Sequence, residues 1–244
     1  MLTCALAYNL VFFIQELGLV LAKAATPGLH PVLFHNNHHW TGDHPLVPLL
    51  QGAGAVATIA VGAACMLWTA RRPPASEGWR LFALWMAVMG FAEALPQVVI
   101  GTFIPQNDVG MAMGFLGLTP PFKAAASVVV LGALFRVGRW AAPQFLALGP
   151  FRSPLSALLA RAAIPLALLV PLAVPFRVPG APIEVLFPPT VDAVAASLAI
   201  LPWSRGSAAP VTPAKPTAIW KLALALAALL AVFQLVLRPG IAFG

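Results

Sequence analysis

The chain has 244 residues, 60% of them hydrophobic and only 9% charged, with a formal net charge of +7. Soluble domains carry roughly a quarter charged residues, so this composition excludes an ordinary soluble domain. The basic residues stand singly or in pairs at the ends of apolar runs, where membrane anchoring and orientation place them, which argues against a nucleic-acid partner.

Seven hydrophobic segments follow one another, at about 2–24, 47–70, 80–104, 119–138, 160–178, 186–203 and 219–238. Each approaches the ~20 residues that an α-helix needs to cross a bilayer. Helices satisfy their own backbone hydrogen bonds in lipid, and the short alternating segments of a β-barrel are missing. The expected fold is all-α, a polytopic transmembrane helical bundle of six or seven spans, with the lipid bilayer as its first partner.

The first segment reads as a retained span and not a cleaved signal, because it is long and lacks a basic leader. It carries Gln15 and Glu16 in its interior, and an ionisable residue within a span is a functional candidate by default. The loop at 25–46 holds all five histidines, His30, His35, His38, His39 and His44, with Asp43 among them. Imidazole is a common transition-metal ligand, so His35, His38, His39 and His44, with Asp43, form a candidate set for zinc or another transition metal. The opposing expectation is a wet interfacial loop anchored by Trp40. His38 and His39 are adjacent and point to opposite sides of any extended backbone.

The second segment contains a Gly/Ala-rich stretch at 52–64, which suits close helix packing within this chain or against other membrane subunits. In the third, Glu93 and Gln97 are four residues apart and share a helix face. Asp108 follows in the run Gln106-Asn107-Asp108-Val109-Gly110. Together Gln15, Glu16, Glu93, Gln97 and Asp108 predict a polar cluster between the first and third spans. Pro165, Pro171 and Pro175 predict a kinked or broken fifth segment, and Pro188-Pro189 opens the sixth. Residues 204–218 have the composition of a flexible linker. The expected organisation is a helical core at 1–203, a linker at 204–218 and a C-terminal helix at 219–244. Ten of the fourteen Lys and Arg residues follow the second, fourth and sixth segments. The positive-inside rule then puts the N-terminus in the cytoplasm and the 25–46 loop on the exoplasmic side of a plasma or inner membrane.

The run Gln15-Glu16-Leu17-Gly18-Leu19 resembles the HELGH helix of the site-2-protease family of intramembrane zinc metalloproteases. In that pattern two histidines one turn apart bind zinc and the intervening Glu is the general base. The resemblance maps Glu16 onto that Glu, and Asp108 onto the family's distant aspartate ligand. Gln15 and Leu19 stand where the two histidines belong, so it implies a zinc-free relative that binds a membrane partner without cutting it. His35-Asn36-Asn37-His38-His39 also resembles a desaturase histidine box, but no histidine follows His44, which excludes a full di-iron set in one chain. The other readings are a metal-binding membrane protein that uses the exoplasmic histidine loop and a structural subunit of a larger membrane complex. A transporter also fits the broken helices and intramembrane acids, though no inverted repeat is evident.

Overall fold

A computed structural model describes residues 1–148, 153–178, 181–203 and 214–243. The protein is a bundle of apolar helices with one small sheet at its edge. Among the described residues six helices are long and apolar enough to cross a membrane: Leu2–Ala24, Val47–Arg71, Glu77–Phe103, Pro120–Ala147, Val185–Trp203 and Ile219–Leu237. A seventh candidate, Pro154–Ala167 with Leu169–Phe176, is bent by 50°. Its breaks coincide with the prolines that the sequence singles out, as expected where a ring removes a backbone donor. These candidate spans mark an integral membrane protein. The fourth runs nine residues past its expected end at 138, because Pro143 does not interrupt its helix, Pro120–Ala147.

In chain order the helices are α1 (Leu2–Ala24), α2 (Val47–Leu50), α3 (Ala53–Arg71), α4 (Glu77–Phe103), α5 (Asp108–Phe115), α6 (Pro120–Ala147), α7 (Pro154–Leu158), α8 (Ile164–Ala167), α9 (Leu169–Ala173), α10 (Pro182–Ile200) and α11 (Ile219–Val232). The core gathers round α4, against which α1, α3, α6 and α10 all pack. Residues Ala83 to Met89 of α4 are buried on every face, which makes it the central strut. Its neighbours come close through small residues. A Cβ placed on Gly54 of α3 would lie 2.7 Å from Gln15 Cγ on α1, and one on Gly90 of α4 would lie 2.6 Å from the Thr58 carbonyl of α3. The Gly/Ala stretch is therefore used inside the chain to set α1, α3 and α4 side by side.

The loop after α1 is ordered into a β-hairpin, which the all-helical expectation omits. Strand β1 (His30–Leu33) pairs antiparallel with β2 (His38–Thr41), with Leu33 opposite His38. The turn closes with the Phe34 N–H donating to the Asn37 carbonyl at 2.9 Å. At the open end Gly42 has φ +91°, and a Cβ there would run into the Gly28 carbonyl, so only glycine fits. The short strand β3 (Ile241–Ala242) pairs with the other edge of β1.

This sheet ties down the C-terminal helix α11 (Ile219–Val232) and its continuation Phe233–Leu237, where Phe233 packs on Phe13 of α1 with ring centroids 5.5 Å apart. Of the expected linker, residues 204–213 lie outside the described residues. The Lys215 carbonyl accepts from the Glu77 N–H at 2.9 Å, and the Thr217 hydroxyl accepts from the Gly78 N–H at 2.8 Å, so this end of it is docked on the start of α4.

Candidate functional site: a polar cavity beneath the hairpin

A cavity of about 580 Å³ opens between α1, the hairpin turn, α4, the segment before α5 (Asp108–Phe115), and α10. Its lining includes Glu16, Glu93, Asp108 and Asp192, together with Gln15, Gln97, Asn36, Asn37 and Arg177. Apolar walls come from Phe12, Ile100, Ile104 and Val191.

Glu16 is buried, and His38 is carried down onto it by β2. The His38 Nδ1 lies 2.7 Å from Glu16 Oε2, with both side chains largely out of solvent. On the other side of the ring, His38 Nε2 lies 3.0 Å from Lys23 Nζ. An ammonium only donates, so Nε2 is the acceptor and Nδ1–H donates to the carboxylate. The imidazole thus bridges Lys23 and Glu16, two buried residues of the same helix. Lys23 also donates to Gln51 Oε1 and lies 4.5 Å from the centroid of Trp40, whose ring stacks on His38 at 5.7 Å. The β2 register explains why this works: His38 and Trp40 face inward while His39 and Thr41 are exposed.

A second network joins the spans. Gln97 Nε2 donates to Gln15 Oε1 at 2.8 Å and lies 3.3 Å from Glu93 Oε1. The buried carboxyls of Glu93 and Asp192 line the same cavity. Beside them Arg177 donates to the Tyr8 hydroxyl at 2.8 Å and packs over Phe12 at 4.3 Å. The structure thus brings Gln15, Gln97 and Glu93 into one hydrogen-bonded group and sets Glu16 and Asp108 on the same cavity. Asp108 opens α5 directly after the N-cap Asn107, whose side chain accepts from the Gly110 N–H. Burial, reinforced by the Glu16 charge, raises the Asp108 carboxyl to about 6.

The remaining histidines go elsewhere. His35 is buried, donates from Nε2 to the Phe176 carbonyl at 2.8 Å and stacks on Phe233 at 5.0 Å. That burial lowers its pKa to about 4. Next to it Asn36 accepts from the Val178 N–H at 2.8 Å, fixing the hairpin turn to the end of the bent span. His39 is exposed beside Phe34, His44 accepts from the Leu46 N–H, and His30 and Asp43 are exposed. Among the described residues, no three His, Cys, Asp or Glu side chains converge as a metal site.

Sequence reasoning missed Asp192, Arg177, Tyr8 and Lys23. Asp192 carried a usable signal, an acid inside an apolar run, of the kind that singles out Glu16. Arg177 reads as a loop-end charge until the bent span turns it inward. No family model, curated protein or solved structure matches the chain.

Proposed function

We propose that the chain is a non-proteolytic relative of the site-2-protease family that binds a membrane partner at the cavity beneath the hairpin. One observation carries this reading: what surrounds the motif helix. Gln15 and Leu19, at the two positions where zinc-binding histidines would stand, are both used in packing. Gln15 accepts from Gln97, and both residues lie against Gly54 of α3. The Glu16 carboxylate, which would serve as general base, is held by His38. Asp108, the residue mapped to the family's third ligand, lines the same cavity, which supports the relationship, while among the described residues no three His, Cys, Asp or Glu side chains converge as a zinc site. Lowering the pKa of metal-bound water is the metal's main contribution to such hydrolysis, and Gln15 and Leu19 give the motif helix no histidine pair to hold that metal. The cavity's mixed lining, with hydrogen-bonding amides and acids among apolar walls, suits a partner segment that brings a polar group into the bilayer.

The alternative, a metal-binding protein, draws on the approach of His38 to Glu16 with Asp108 on the same cavity. The test of the leading reading is a Glu16→Gln variant in cells lacking the native chain. Its amide accepts from His38, so the cellular role is retained at normal protein levels. Loss of a measured membrane-protein cleavage in that variant, with the protein still abundant, contradicts the proposal.

A further inference from the structure

At the far end of α6 a second cavity, of about 430 Å³, is lined by Arg136, Arg139 and Trp140. Both arginines are exposed, and among the described residues no carboxylate bonds to either guanidinium. Arg139 sits over Trp203 at 5.8 Å, and the Trp203 ring meets Phe135 edge-on at 6.4 Å, so Trp203, at the end of the span Val185–Trp203, borders the shallow notch that α6 lines. Beside it α6 and α10 approach backbone to backbone at Gly138 and Ala199. Val128, Leu131, Phe135 and Arg139 follow one another at helical spacings of three and four, so they form a single stripe on α6. The three apolar members are all exposed, Val128 by 70%. One face of α6 is therefore apolar from Val128 to Phe135 and ends in two cations that, among the described residues, have no carboxylate partner.

We propose that this stripe and notch bind an anionic phospholipid, its phosphate between Arg136 and Arg139 and an acyl chain along Phe135, Leu131 and Val128. The charge pattern selects this occupant. Guanidinium forks match phosphate oxygens, Trp140 and Trp203 stand beside the arginines as tryptophans do at membrane interfaces, and the apolar stripe leads away from the cations as an acyl chain leads away from its phosphate. Two basic groups beside an anionic headgroup give a preference on the order of tenfold or more over a zwitterionic lipid.

The experiment reconstitutes the full chain with equimolar phosphatidylglycerol and phosphatidylcholine and reads retained lipid by native mass spectrometry. The expected result is preferential retention of one phosphatidylglycerol. Retention drops at least fivefold in R136Q/R139Q and is unchanged in R71Q/R72Q, a basic pair elsewhere. The wild-type lipid competition needs no variant to fold. Equal retention of the two lipids, or equal loss in both variants, overturns the proposal. Displacement of phosphatidylglycerol by millimolar inorganic phosphate also overturns it, by showing a free-anion site.

Discussion

Replacing His38 by alanine tests whether the hairpin is held to α1 by Glu16. The substitution leaves the Glu16 carboxylate, 5% exposed, without the 2.7 Å donor that faces it. A hydrogen bond to a charged group contributes about 1.5–3 kcal/mol. The lost stacking on Trp40 adds about 0.5–1 kcal/mol. Hairpin opening should therefore become easier by about 2–4 kcal/mol, a factor between about 30 and several hundred. Amide hydrogen exchange across β1 and β2 in micelles reads this directly, since local opening sets the protection there. Lys23 keeps its bond to Gln51, so the amides of α1 should change far less. A cycle with Glu16→Ala, which removes the acceptor outright, isolates the pair, and its coupling should be about 1–3 kcal/mol. A coupling below about 0.5 kcal/mol would refute the view that Glu16 serves as the hairpin's tether.

Asp108→Asn should stabilise the protein by about 3 kcal/mol at pH 7.5, with the gain vanishing near pH 4. The sign follows from a carboxyl that ionises near pH 4 unfolded and at about 6 folded, so stability falls as pH rises through that window. Thermal unfolding against pH measures it, and a pH-independent difference would show that Asp108 is not a buried acid. His35→Gln should act in the opposite direction. His35 protonates near 6.5 unfolded but only at about 4 folded, so the wild type loses stability as pH falls through that interval. The amide keeps a donor for the Phe176 carbonyl, and the same titration should show a flatter slope between pH 4 and 6.5. A topology reporter fused after Arg72 should read cytoplasmic and one inserted near Thr41 exoplasmic. The same side for both would overturn the orientation drawn from the basic residues.

The spans were legible because a bilayer imposes a length and a composition that apolar runs display openly. Even the broken fifth span was marked by its prolines. The hairpin was half legible. His38 and His39 were expected on opposite sides of an extended backbone, and they are, but His30-Pro31-Val32-Leu33 is too short and too proline-bearing to announce a strand. The direct approach of His38 to Glu16 depends on a turn at Gly28 and on a partner strand, β3, contributed from the other end of the chain. Long-range closures of that kind leave no local pattern. The polar cluster was anticipated through Gln15, Glu93 and Gln97, whereas Asp192 and Arg177 join it only through the packing of α10 and the bent span.

The central claim is that Glu16 is a structural tether and not the base of a metal centre, and the metal content of the purified full chain tests it most directly. After mild dialysis the wild type should hold well under one equivalent of zinc, copper or iron, and His38→Ala and a His35→Ala/His38→Ala variant should hold the same. Close to one equivalent in the wild type, falling sharply in His38→Ala and in Asp108→Asn, would contradict the account and place a working metal site under the hairpin.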